Sequence, residues 1–170
     1  MTRRLFLIFL LTTLLAACGG LPLTTGEFRQ AAKNRQSFST SESFEVKRPF
    51  ADVVQTFRKK APECLSYDIG STKKPVIGIG SSTRFYGRAK PTLTVSGNRA
   101  ELDFQVKYEN TVTKEPDDGY YYLVADVVAL GANRTRVDLY WRTKVDTLAR
   151  AVRGWATGQN LGCPDPSTYL

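Results

Sequence analysis

The sequence contains no histidine, one methionine and three cysteines in 170 residues. Each scarcity removes chemistry. Without histidine there is no imidazole general base, no Ser–His or Cys–His catalytic pair and no His-containing metal site. Three cysteines without histidine are too few soft ligands for a four-coordinate structural zinc centre. No cofactor or metal is therefore expected. What remains is a basic chain, 24 Lys and Arg against 16 Asp and Glu for a net charge of +8, long enough for one domain with a real core.

Part of that charge belongs to an address. Met1-Thr2-Arg3-Arg4 precedes an apolar run from Leu5 to Ala17, broken only by Thr12 and Thr13. A basic start and a short apolar run mark a secretory signal, since a membrane span needs about 20 residues. The run ends Leu15-Ala16-Ala17-Cys18-Gly19. This tetrad and its position resemble the lipobox of bacterial lipoproteins. The resemblance implies cleavage before Cys18, a diacylglyceryl thioether (and palmitate-type acylation) on Cys18, and anchoring in a membrane. Gly19 stands where Asp would signal inner-membrane retention. The expected location is therefore the outer membrane, with the domain facing the periplasm. Without residues 1–17 the chain keeps 22 basic and 16 acidic residues, or +6.

Residues 18–41 read as the lipidated end and a flexible tether, with one loose helical turn around Glu27–Arg35. A coil of about 23 residues spans roughly 25 Å. Residues 42–170 form the single expected domain. Phe44 and Val46 alternate with Glu45 and Lys47, a strand pattern. Phe50, Val53, Val54, Phe57, Ala61 and Cys64 form a helical stripe, which Pro62 ends or carries into a short final turn. Residues 68–75 read as loop, 76–80 and 83–89 as short strands, and Leu93 and Val95 as another beyond Pro91. Residues 100–108 alternate apolar and polar, as a half-buried antiparallel strand does. Tyr120–Leu130 is almost wholly apolar, and Arg134–Arg142 alternates again. Val145, Leu148, Val152 and Trp155 mark a C-terminal amphipathic helix of about 14 residues.

This order predicts an α+β fold, a curved antiparallel sheet packed against a C-terminal helix. It resembles the helix-grip arrangement of START-type and Bet-v-1-like domains. It is also similar to small domains of a lipoprotein subunit of the outer-membrane β-barrel assembly machinery. The resemblance covers residues 43–158 and is one of topology.

Three sets of residues carry specific expectations. Cys64 and Cys163, in an oxidising compartment, are expected to pair and staple the last helix to the first. Arg84, Arg88 and Lys90 share strand parity with Tyr86, and Arg134, Arg136 and Arg142 with Tyr140. Such a strip could meet anionic lipid headgroups, lipopolysaccharide phosphates or a cell-wall polymer. The plainer alternative is a solvated face, its cations paired with Glu101, Asp103 and Glu109. Asp126, inside an apolar strand, either pairs with an Arg or enters the concave side as a pocket acid, outward placement being expected. Gly78-Ile79-Gly80-Ser81-Ser82 lacks the Gly-Lys-Ser/Thr ending of a phosphate loop.

The expected function is that of a non-enzymatic envelope lipoprotein. It would bind an apolar ligand under the C-terminal helix or dock onto an envelope protein, and nucleic acid is excluded by the address. An enzyme acting on cell-wall or lipid material, or a purely structural stabiliser, are the alternatives.

Overall fold

A computed structural model describes residues 21–72, 84–109 and 115–168. The signal segment, Cys18 and the expected strand at 76–80 lie outside the described residues. The elements are α1 (Thr25–Lys33), β1 (Ser39–Val46), α2 (Phe50–Leu65), β2 (Tyr67–Thr72), β3 (Arg84–Ser96), β4 (Arg99–Tyr108), β5 (Tyr120–Gly131), β6 (Arg134–Arg142) and α3 (Asp146–Thr157). The six strands form one antiparallel sheet in the order β1-β6-β5-β4-β3-β2. First and last strands pair, and α2 and α3 lie on one face of the curved sheet. This is the helix-grip-like α+β fold that the element order predicts.

The helix face carries the core. Val53, Phe57 and Leu65 of α2 meet Leu102, Phe104 and Val106 of β4, Val137 and Leu139 of β6, and Leu148, Val152 and Trp155 of α3. The even–odd alternation of β4 and β6 places these side chains inward, as period 2 requires. In β5 a bulge opposite Phe104 and Gln105 interrupts that period. Tyr122 and Leu123 consequently both join the core on the helix face.

The segment expected as a tether is largely folded. Thr24 caps α1, its hydroxyl accepting from the Glu27 amide at 3.2 Å, while the Glu27 carboxylate accepts from the Leu23 amide at 2.8 Å. This is a variant of the reciprocal capping box. Phe28 and Ala32 of α1 pack on Val124 and Tyr140, on the sheet face opposite the other helices. That contact explains β5. A central strand covered on both faces loses the polar half of its alternation. Sequence periodicity hides α1 because only three of its nine residues, Phe28, Ala31 and Ala32, are buried.

Two further boundaries differ from expectation. Residues 67–72, read as loop from residue 68 onward, form edge strand β2. β3 runs unbroken from Arg84 to Ser96, through Pro91. β2 pairs with β3 only as far as Ala89, so Pro91 sits where β3 is itself an edge and its missing N–H breaks no ladder bond on that side. α2 likewise continues past Pro62 to Leu65. The last helix is preceded by a 3-10 turn, Thr143–Val145, and stops at Gly158, whose φ of 87° is the left-handed conformation of a helix C-cap. Arg48 Nη1 donates to the terminal carbonyls of Trp155 and Ala156, both at 2.9 Å. A cation there suits the negative end of the helix dipole.

Candidate functional site

The space between sheet and C-terminal helix, where an apolar ligand was expected, is occupied by the protein's own side chains. Trp155, Phe57, Phe104, Leu148 and Val152 are fully buried there. Trp155 Nε1–H donates to the Leu161 carbonyl at 3.2 Å, which draws the C-terminal tail over the helix. Phe104 meets Tyr122 edge-on at 6.3 Å and Tyr67 at 6.5 Å. Tyr122 and Tyr108 share a hydroxyl hydrogen bond of 2.9 Å. Burial first, and then that bond, push the Tyr108 hydroxyl above its ordinary pKa, so it stays neutral.

The opposite face carries charge. Arg29 of α1 reaches across the sheet to Asp126 of β5, donating from Nε at 2.8 Å and from Nη2 at 2.6 Å, and also bonds Glu101 of β4. Asp126 therefore faces outward and is paired with an Arg. The cleft beside it, about 530 Å³, is lined by Arg29, Lys33, Arg99, Glu101, Arg136 and Asp138 among others. Sequence reasoning missed Arg29 because it was assigned to a tether. The Thr24-x-x-Glu27 cap, with Phe28, Ala31 and Ala32 at helical spacing, was the available signal.

Asp103 lies two residues from Glu101 on the same face of β4. Its Oδ1 is shut away from solvent without a hydrogen bond. Burial, then the adjacent Glu101 carboxylate, push the Asp103 carboxyl up to about 7. Burial and a neighbouring carboxylate both disfavour the charged form of an acid. The sign follows from linkage. A pKa raised on folding contributes stability that is complete below the ordinary value near 4 and is lost as pH rises toward 7. Asp103→Asn is thus expected to stabilise the fold at pH 8 by about 1–2 kcal/mol after solvent screening, raising Tm there, and to change Tm little at pH 4. Thermal melts of both chains across that range test this, and an equal shift at both pH values would refute it.

The expected basic strip is divided. Arg88 lies on β3, and Arg134, Arg136 and Arg142 lie on β6, with β4 and β5 between them. The side chain of Arg84 lies outside the described residues. Arg88 pairs with Asp68 at 3.2 Å, Arg134 with Glu45 at 3.7 Å and Arg136 with Asp138 at 3.1 Å. Arg142 differs, since it stacks on Tyr122. Cys64 and Cys163 form a disulfide between the end of α2 and the C-terminal tail. Glu63 lies beside them, but sulfurs joined in a disulfide offer no thiolate to a metal. No helix among the described residues is long and apolar enough to cross a membrane.

No family model matches the chain, and no curated protein sequence does. Among solved structures it is similar to a START superfamily protein from Mycobacterium smegmatis, at 10% identity and a TM-score of 0.37, over 71% of this chain and 94% of that one. It is also similar to a hypothetical protein from Helicobacter pylori, at 11% identity and a TM-score of 0.40, over 85% and 95%. A norcoclaurine synthase from Thalictrum flavum follows at 15% identity and a TM-score of 0.29, over 70% and 90%.

Proposed function

We propose that this chain is a lipid-anchored, non-enzymatic envelope protein whose domain docks onto a protein partner on the periplasmic side of the outer membrane. The lipobox at Leu15–Cys18 supports the anchor. The absence of histidine supports the non-enzymatic reading. The choice of docking over ligand capture is carried by one observation, that Trp155, Phe57 and Phe104 fill the space under the C-terminal helix. Among the described residues, a ligand pocket of ordinary size at that place, at least about 300 Å³ between sheet and helix, would require those side chains to leave.

The protein purified from membranes under mild detergent is the sample that tests this. Intact mass is expected to show a chain beginning at Cys18 with a diacylglyceryl group and added acyl chains. Cys18→Ser is expected to abolish that modification. Native mass spectrometry is expected to show a stoichiometric protein partner. A co-purified apolar small molecule with no protein partner would overturn the docking reading, and an unmodified Cys18 would overturn the anchor.

A further inference from the structure

Arg142 and Lys144 flank Thr143 at the end of β6, and both lie over the Tyr122 ring. The guanidinium carbon is 5.0 Å and the ammonium 4.7 Å from the ring centroid. The two charges therefore lie within about one Debye length, roughly 10 Å, of each other. Arg142 Nε donates to the Tyr121 carbonyl at 2.7 Å. Its Nη2 is shut away from solvent and makes no hydrogen bond. All 16 acidic residues of the chain fall within the described segments. None of them forms an ion pair with Arg142 or Lys144, whereas Arg29, Arg88, Lys90, Arg134, Arg136 and Arg153 each have a carboxylate partner. The fold thus brings two cations together over an aromatic face, neither of them in an ion pair with a carboxylate.

An exposed aromatic stands beside them. Thr143 donates its N–H at 2.8 Å and its hydroxyl at 3.1 Å to the carbonyl of Phe38. Phe38 is 88% exposed. Its φ is 53°, with Ser37 at 52° and Arg35 at 54°, a left-handed conformation that side chains other than glycine rarely adopt. The loop is nonetheless tied down, by Arg35 N–H to Ala32 at 3.1 Å, Gln36 N–H to Ala31 at 2.8 Å and Ser39 N–H to Gln36 at 3.0 Å. A hydrogen-bonded loop therefore holds a phenyl ring out in water, on a residue whose carbonyl is bonded to Thr143, and Arg35 of the same loop is exposed too.

We propose that Phe38, Arg142 and Lys144, with Arg35, form a contact surface for anionic phospholipid. Exposed Lys144 and Arg35 take the phosphate-bearing headgroup, half-buried Arg142 adds its positive charge beside them, and Phe38 enters the interfacial layer, where aromatic rings partition well. The charge pattern selects an anionic partner, and the apolar ring favours a lipid over a free anion. The nearness of a bilayer rests on the anchored reading above. Residues 24–41 are folded, Leu23 is hydrogen-bonded to Glu27 and Pro22 is buried, so the five residues Gly19–Leu23 can set Cys18 at most roughly 20 Å from the helix cap at Thr24. A domain held so closely meets the membrane surface.

The full chain is placed in nanodiscs of neutral phosphatidylcholine, or in discs with part of it replaced by phosphatidylglycerol. Backbone hydrogen exchange is then followed at residues 35–38 and 142–144. Exchange at these positions is expected to slow roughly fivefold or more in the anionic discs alone. The slowing should vanish in Arg142→Gln/Lys144→Gln, diminish in Phe38→Ser and survive in Arg88→Gln. Unchanged exchange in β5 would show that each variant is folded. Equal exchange in both discs, or slowing retained in the double variant, would overturn the proposal. Inorganic phosphate reproducing the effect in neutral discs would overturn the headgroup assignment, and slowing that needs an added envelope protein would assign the surface to that partner instead. Intact mass of the same sample reports on Cys18 separately. Sedimentation with anionic vesicles tests the surface even if the anchor is missing.

Discussion

Reduction of the Cys64–Cys163 bond is expected to lower the melting temperature of the domain by roughly 10–15 °C. The two cysteines are 99 residues apart in sequence. Opening a loop of about that length releases up to about 4.7 kcal/mol of chain entropy to the unfolded state in the loop-closure description. The location adds to the effect. Cys64 closes the last turn of α2, and Cys163 lies in the tail that Trp155 holds through the Leu161 carbonyl. The bond thus ties both helices of the core layer to one another, and losing it frees the C-terminal tail as well. Melting with and without reductant, together with a Cys64→Ser/Cys163→Ser variant, measures this. A change of only a degree or two would mean that packing alone holds the tail.

Trp155→Ala is expected to cost about 3–5 kcal/mol, the range for deleting a large buried aromatic. The ring is completely buried between sheet and helices, and its Nε1–H is satisfied by a backbone carbonyl. Denaturant titration should show a lower midpoint with an unchanged slope, because the surface exposed on unfolding changes little. The variant carries a second readout. If the space under α3 is closed because this side chain fills it, the shortened side chain should let an apolar dye bind the folded domain, while the parent chain remains dark. Equal dye binding by both chains would mean that an apolar cavity already exists, and would favour ligand capture over docking.

The two experiments bear on different parts of the reading. The disulfide concerns how the core layer is held together, and Trp155 concerns what that layer leaves room for. Neither depends on the anchor at Cys18 or on the Phe38 surface, so each can fail alone.

Much of the architecture could be read from residue patterns. The strict alternation in 100–108 and 134–142 places one face of each strand in the core, because side chains on a strand reverse direction at every residue. The apolar stripe through Phe50, Phe57, Ala61 and Cys64 marks α2 in the same way, and Val145 to Trp155 mark α3. The pairing of Cys64 with Cys163 followed from there being two cysteines left once Cys18 is assigned to lipid. Residues whose role depends on a remote neighbour were not readable. Arg29 looks like a linker residue until α1 is laid across β5, where Asp126 and Glu101 receive it. Pro91 looks like a break until β2 is seen to end its pairing before reaching it.

Local period and composition by themselves determined the types and chain order of β1, α2, β4, β5, β6 and α3, the exclusion of histidine chemistry and the expectation of an anchor. These depend on near neighbours in the chain and on which residues are present at all. Tertiary structure decided the rest. It covered the second face of β5 with α1, folded most of the segment expected as a tether, filled the space under α3, and set Arg142 and Lys144 beside an exposed Phe38 without an ion-paired carboxylate. Each is a contact between segments tens of residues apart, governed by sheet register and packing, which periodicity along one strand or helix does not encode.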